Sequence, residues 1–175
     1  MIKIIATLLT FFAFNVSHAK VNVGIILGFT GPIETLTPGM SAGAELAFNE
    51  AADSGKLLNG QGINIIKVDS TCVDSAAATS AAESLISQGV TAIMGADCSG
   101  VTGAVLSNVA VPNGVPMISP SATSPGLTTA ADNGLFFRTA PSDARGGEVL
   151  ADITSSRGIS SVAITYVNTD YGVGL

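Results

Sequence analysis

Apolar runs and helix-like segments alternate along most of this chain. The apolar runs are rich in Val and Ile, which is typical of strands buried on both faces of a sheet. Strands are predicted at residues 21–29, 63–68, 90–94, 115–118, 135–138 and 161–167. Helices are predicted at residues 39–52, after Asp74, at 100–109, from Ser142 or Asp143 towards Ile153, and from 170 onwards. Repeated strand–helix units predict an α/β fold with a doubly wound parallel sheet and right-handed crossovers.

Two of the predicted strands end in loops of small, hydroxyl-bearing residues. Strand 90–94 runs into a loop that contains Ser99, and strand 115–118 runs into a loop that contains Ser121 and Thr123. Ligands of open α/β sheets bind at the carboxyl ends of the strands. A serine at a helix start also offers a hydroxyl beside free backbone N–H groups. These loops therefore predict a site for a small anion, most simply a carboxylate.

Each of these loops, taken alone, has an ordinary structural alternative. Ser99 could cap its own helix without touching a ligand. Residues 121–123 could form a common turn. The joint placement of the two loops after neighbouring strands favours the binding site.

The first residues have the layout of a secretory signal peptide. Lys3 precedes an apolar run at residues 4–16, and small residues stand at Ser17 and Ala19. This pattern predicts cleavage after Ala19 and export to the periplasm. The alternative is a retained membrane anchor, but a run of about 13 residues is short for a bilayer.

Charge and residue usage disfavour several functions. The chain has 7 basic and 13 acidic residues and a formal net charge of −6, so a nucleic-acid partner is not expected. The single histidine, His18, lies in the predicted signal peptide, and no phosphate-binding glycine motif or nucleophile elbow is present. We expect no enzymatic activity, no cofactor and no metal. Asp69 and Asp74, which flank Cys72, could attract a hard cation, but a solvated loop is the better interpretation.

The two cysteines, Cys72 and Cys98, each follow a predicted strand, and the leader sequence predicts export of the protein. An even count in an oxidising compartment favours one disulfide between them. The alternative is a pair of buried free thiols.

Seven short stretches carry a family resemblance in a fixed order. They are residues 31–33, 43–47, the pair Cys72 and Cys98, the dipeptide Cys98-Ser99, and residues 115–125, 137–143 and 171–175. On these stretches, residues 21–175 resemble the periplasmic branched-chain amino acid binding protein family, the substrate-binding components of ABC importers.

The resemblance implies a type I periplasmic binding protein in which two α/β lobes close over an amino acid. After the predicted signal peptide at 1–19, the resemblance implies a first lobe at 20–140 and the beginning of a second lobe at 141–175. The hinge between the lobes is expected near 138–141. Relatives are longer, so we expect this chain to be truncated. The disulfide between the two cysteines matches one in the family.

The resemblance also implies the ligand-binding residues. Ser99, Ser121, Ala122 and Thr123 hold the carboxylate and ammonium groups of the ligand, and Tyr171 contributes an aromatic wall from the second lobe. An acidic partner for the ammonium lies in a region beyond this chain. Where leucine-binding relatives have an aromatic residue, this sequence has Leu36. The side-chain pocket is therefore altered, and leucine is not the expected ligand.

The expected function is that of a monomeric extracytoplasmic solute-binding protein. It would capture a polar amino acid, or a closely related small acid or amide, and deliver it to the membrane permease of an ABC importer. Ligand contacts from both lobes would drive closure. The alternative is a ligand-sensing domain of a receptor or regulator with the same fold.

Overall fold

Five parallel strands form a single sheet in the computed structural model, which describes residues 20–56 and 60–175. The strands are β1 (Val21–Leu27), β2 (Ile63–Asp69), β3 (Val90–Gly95), β4 (Met117–Ser119) and β5 (Phe136–Arg138). Their order is β2-β1-β3-β4-β5, and each neighbouring pair is parallel. The strand order reverses between β1 and β3, which is the position where open α/β sheets bind ligands. The predicted α/β class and parallel sheet are confirmed.

Helices connect the strands and flank the sheet. They are α1 (Thr37–Asp53), α2 (Ser75–Ser87), α3 (Ser99–Val105), α4 (Val111–Asn113), α5 (Asp143–Ser156) and α6 (Asp170–Gly174). A π-helical turn, Leu106–Ala110, joins α3 to α4, and a 3₁₀ turn, Pro125–Thr128, follows β4. In these described segments, no helix has both the length and the apolar character needed to cross a membrane.

Side chains at helix starts determine where two of the helices begin. The Asp74 carboxylate accepts hydrogen bonds from the backbone N–H groups of Ala76 and Ala77 at the start of α2. The Ser142 hydroxyl accepts one from Ala144 at the start of α5. Both caps satisfy N–H groups that the helix itself leaves without a partner. These observations confirm Asp74 as a cap and select Ser142 over Asp143.

The core lies between the central strands and α2 and α3. Ile25, Ile26 and Leu27 of β1 are completely buried, because β1 has a strand on each side and helices on its faces. On α2, the helical spacing that predicted one apolar face is confirmed, since Ala78, Ala82 and Leu85 are fully buried. Small alanine side chains let this helix approach the sheet closely.

The prediction of a buried strand at residues 161–167 is wrong for this structure. The segment forms no ladder with any described strand, and Ile164 is 82% exposed. Likewise, α5 has no buried residue and exposes Leu150 and Ile153. Strand geometry depends on a neighbouring strand for its hydrogen bonds, and the described residues provide none here. The predicted signal peptide at 1–19 lies outside the described residues.

Candidate functional site

A cavity of about 790 Å³ lies at the carboxyl ends of the strands, beside the point where the strand order reverses. Its walls come from the loops after β1, β2, β3 and β4, from the start of α1 and α5, and from residues 167–171. Besides Ser99, five residues are predicted to form the ligand site. Four of them line the cavity together with Ser99, namely Ser121, Thr123, Tyr171 and Leu36. Ala122 does not line it. The two hydroxyl-bearing loops follow the adjacent strands β3 and β4, as the sequence predicts.

Ser99 is the first residue of α3, one position later than a capping residue. The N-cap is Cys98, whose side chain makes no capping hydrogen bond. Ser99 is only 3% exposed, and its Oγ accepts a hydrogen bond from the backbone N–H of Ser124 at 3.2 Å. The cap alternative for Ser99 is therefore wrong. Its hydroxyl hydrogen is not used by this bond and can be donated into the cavity.

Ser121 uses its hydroxyl hydrogen within the protein. Its Oγ donates to the backbone carbonyl of Asp97 at 2.9 Å, which ties the loop after β4 to the loop after β3. Oxygen lone pairs remain available on Ser121, so this hydroxyl can accept a hydrogen bond from a ligand. Ser99 and Ser121 thus offer different hydrogen-bonding capacities to the same cavity.

Ala122 lies behind the cavity wall. Its side chain is completely buried, its backbone N–H donates to Ser119 Oγ at 3.0 Å, and its carbonyl accepts from an Arg138 guanidinium nitrogen at 3.3 Å. Both backbone groups of Ala122 are therefore used within the protein. In this structure its contribution is to fix the position of its neighbours Ser121 and Thr123.

Thr123 and Asp143 present polar atoms without partners. Thr123 Oγ1 and Asp143 Oδ2 are shielded from solvent, and neither has a hydrogen-bond partner among the described residues. Both residues line the cavity. The backbone N–H of Asp143 donates to the carbonyl of Thr123 at 3.1 Å, which brings the start of α5 against the loop after β4.

Tyr171 and Leu36 line the cavity from two different elements of the fold. Tyr171 lies on α6, which packs against α3, and its side chain is 44% exposed. Leu36 immediately precedes α1 and is 58% exposed. The cavity wall near Leu36 is apolar and includes Pro32, Ile33 and Met40. The lining of the cavity thus combines hydroxyl groups with aliphatic groups.

The disulfide between Cys72 and Cys98 is confirmed. It joins the loop after β2 to the start of α3, and both half-cystines line the cavity. Thr71 and Cys72 have positive φ angles of 57° and 68°, which few residues other than glycine adopt. The crosslink therefore holds an unusual loop conformation in the cavity wall.

Sequence reasoning missed two acidic residues at this site. Asp97 is 2% exposed, and its carboxylate accepts hydrogen bonds from the loops beneath the cavity. Asp143 also lines the cavity, whereas the sequence indicates only a helix cap at this position. A signal for Asp97 was present, because it is a single carboxylate between a buried strand and a half-cystine. Nothing in the sequence near Asp143 indicates that it reaches the loop after β4.

Known proteins resemble this chain in sequence and in fold. The family described as "Periplasmic binding protein" matches residues 20–175. A Leu/Ile/Val-binding protein, BraC3 from Rhizobium johnstonii, is 31% identical over 97% of this chain and 46% of its own length. This chain thus spans less than half the length of that relative.

Two solved structures share the fold at moderate sequence identity. The branched-chain amino acid transporter substrate-binding protein LivJ from Streptococcus pneumoniae, in complex with isoleucine, is 29% identical with a TM-score of 0.69, over 79% of this chain and 39% of that one. A solute-binding protein of an ABC transporter from R. palustris, in complex with benzoate, is 27% identical with a TM-score of 0.65, over 80% and 38%. On the match across residues 20–175, this chain belongs to the periplasmic binding protein family.

Proposed function

We propose that this chain forms the ligand-binding part of an extracytoplasmic solute-binding protein, which captures a small carboxylate-bearing ligand for an ABC importer. The observation that carries the proposal is the convergence of Ser99, Ser121 and Thr123 on one cavity from two adjacent strand ends. The ligands named for the two solved relatives, isoleucine and benzoate, both carry a carboxylate. The proposed role is capture and release, with no chemical step.

Ser99 is the proposed donor to the ligand carboxylate. Its hydroxyl hydrogen is free, its oxygen is held in place by the Ser124 N–H, and it begins a helix whose first-turn N–H groups have no side-chain cap. A hydrogen bond to a charged group contributes about 1.5–3 kcal/mol. Loss of this hydroxyl should therefore be measurable as weaker binding.

The apolar wall formed by Ile33, Leu36 and Met40 indicates what kind of side chain the ligand carries. Apolar lining with a few placed polar groups is the usual composition of a small-molecule site. We therefore propose an aliphatic side chain on the ligand, which differs from the polar amino acid that the sequence alone suggested. Leu36 would contact this side chain where an aromatic residue stands in the family pattern.

The proposed protein has two lobes, lies in the periplasm and delivers its ligand to a membrane permease. Residues 20–140 would form the first lobe and residues 141–175 the beginning of the second, with Tyr171 closing over the ligand. Export by a signal peptide cleaved after Ala19 would place a monomer in the periplasm, where a membrane permease would receive the ligand. The family membership supports this setting.

Calorimetry of the complete protein that carries this chain tests the proposal. Isoleucine and benzoate are the probes, and Ser99→Ala and Thr123→Val are the variants. Each variant should weaken binding by about tenfold or more, since a charged hydrogen bond is removed. Ser107→Ala is the matched control, because this exposed serine donates only to backbone carbonyls of its own helix. Unchanged affinity in both cavity variants would remove the proposed carboxylate site.

A further inference from the structure

Arg138, the last residue of β5, is a half-buried cation with no acidic partner in the described part of the chain. The ion pairs formed by the described side chains, Lys67–Glu45 and Arg145–Glu148, do not include it. Removing a charge from water is costly unless hydrogen bonds compensate. Arg138 therefore has to obtain this compensation from neutral oxygen atoms.

The loop after β4 supplies those oxygen atoms. Nη1 of Arg138 donates to the backbone carbonyls of Ala122 at 3.3 Å and of Ser124 at 2.8 Å, and Nη2 donates to the Thr128 hydroxyl. The donors of a guanidinium lie in one rigid plane. This one group therefore fixes the directions of two carbonyls of the loop.

The peptide group between these two carbonyls is the one that contacts Ser99. The Ala122 carbonyl belongs to peptide group 122–123 and the Ser124 carbonyl to peptide group 124–125, so peptide group 123–124 lies between two fixed neighbours. Its N–H, that of Ser124, donates to Ser99 Oγ at 3.2 Å. Peptide groups are planar and are joined by only two soft torsions per residue. The direction of the Ser124 N–H thus depends on the carbonyls that Arg138 holds.

Arg138 does not line the cavity, whereas Ser99 does. From this geometry we propose that Arg138 is a positioning residue, which holds the ligand-binding hydroxyl of Ser99 in place through the Ser124 N–H. The inference rests on the proposed function and adds to it a residue outside the cavity. Because the Ser124 N–H occupies a lone pair of Ser99 Oγ, the hydroxyl hydrogen is directed elsewhere and stays available to a ligand carboxylate.

The alternative is that Arg138 stabilises the whole loop without a particular effect on Ser99. A double-mutant cycle distinguishes the two, because effects of independent residues add, whereas effects that pass through one contact do not. Once Ser99 has lost its hydroxyl, a residue that acts through this hydroxyl has nothing left to position.

The first test is this cycle on the complete protein that carries the chain, followed by calorimetry with isoleucine and benzoate as probes. Arg138→Lys keeps the charge but replaces the planar fork by one ammonium, so binding should weaken by about three- to tenfold. In the Ser99→Ala background, the same change should weaken binding by less than about twofold. Losses that multiply in the double variant would overturn the inference, because Arg138 would then act independently of Ser99.

A second variant, Thr128→Val, changes an exposed residue and removes the hydroxyl that Nη2 of Arg138 uses. It should weaken binding by about two- to threefold, again only while Ser99 is present. If Arg138→Lys does not fold, this result alone decides. Arg157→Lys, at an exposed arginine that ends α5, is the matched control and should leave both affinities unchanged. Native affinity in both Arg138→Lys and Thr128→Val would overturn the inference.

Hydrogen exchange of the ligand-free protein gives a readout at the contact itself. The Ser124 N–H should exchange at least about fivefold faster in Arg138→Lys, since its hydrogen bond to Ser99 is loosened. The Gly89 N–H, which donates to the Ile86 carbonyl at 2.9 Å, is the internal reference and should not change. Unchanged exchange at Ser124 would contradict the inference.

The Ser99→Ala variant separates failure of the inference from failure of the proposed function. If Ser99→Ala and Thr123→Val bind both probes as tightly as the native protein, the proposed carboxylate site is wrong and the inference is wrong with it. If Ser99→Ala weakens binding while Arg138→Lys and Thr128→Val do not, only the inference is wrong.

Discussion

Asp97 Oδ2 accepts a hydrogen bond from the backbone N–H of Gly28 at 2.6 Å, which joins the loop after β3 to the end of β1. The other oxygen, Oδ1, accepts from the N–H of Cys98 at 2.9 Å and from Ser70 Oγ at 3.3 Å. A single buried carboxylate thus connects the ends of three adjacent strands beneath the cavity. Its polar partners lie on the three loops whose relative positions define the site.

Replacing this carboxylate should destabilise the fold. Asp97→Ala leaves the Gly28 N–H buried without a partner, and we expect the free energy of unfolding to fall by about 2–4 kcal/mol in urea denaturation. Asp152→Ala, on the exposed face of α5, is the control and should change it by less than about 0.5 kcal/mol. A similar small effect for Asp97→Ala would show that the three loops are held by other contacts.

The disulfide should contribute to the free energy of unfolding about as much as the Asp97 carboxylate does. Cys72 and Cys98 are separated by 26 residues, and closing a loop of this size is worth about 3–4 kcal/mol in the chain-entropy account. The double variant Cys72→Ser, Cys98→Ser should lose that stability in denaturant unfolding. Dithiothreitol should lower the stability of the native protein and leave the double variant unaffected. A native protein insensitive to complete reduction would contradict this expectation.

Substitution by alanine should lower the free energy of unfolding at one glycine and raise it at another. Gly95 has a φ of +129°, and a Cβ there would clash with the Ile26 carbonyl oxygen of the adjacent strand. Gly95→Ala should cost about 3–5 kcal/mol of unfolding free energy, because backbone must move. Gly43 lies inside α1 with open space around it, so Gly43→Ala should stabilise by about 0.5–1 kcal/mol. Loss of stability in both variants would contradict the assignment of Gly43 to an open helix surface.

The pKa of Asp69 should make stability depend on pH. Burial raises the pKa of this carboxyl, but hydrogen bonds from the Thr30 hydroxyl and from the backbone N–H groups of Thr71, Thr30 and Phe29 lower it below its ordinary value. A carboxyl with a depressed pKa stabilises the folded state fully above its unfolded value of about 3.9. This contribution is lost as the pH falls through the lower, folded-state pKa.

Thr30→Val removes the hydroxyl that donates to Asp69 Oδ2 at 2.6 Å. The pKa of Asp69, followed by carboxyl NMR titration, should rise towards its ordinary value. Stability should then fall less steeply on acidification below about pH 5. Thr91→Val is the control, since the Thr91 hydroxyl donates to a backbone oxygen of Asn22. An unshifted Asp69 titration in Thr30→Val would show that the backbone N–H groups alone set this pKa.

Local patterns were sufficient for the elements that fold against neighbours in the described chain. Ala78, Ala82 and Leu85 recur at helical spacing after Asp74, and this spacing predicts both the cap and the buried face of α2. The same reasoning fails for residues 161–167, whose apolar pattern has no partner strand beside it in the described residues. Hydrophobic patterning reports what a segment can bury, whereas a strand also needs a neighbour for its hydrogen bonds.

By itself, the sequence determined the parallel α/β sheet and the two strand-end loops that carry Ser99, Ser121 and Thr123, because side-chain period and loop composition are local properties. Only the tertiary structure decided which hydroxyl hydrogens remain free, that Ala122 lies behind the wall, and that Asp97 joins three loops. It also brought Asp143 against Thr123. These relations depend on contacts between residues far apart in the chain, so the spacing of residues along the sequence does not contain them.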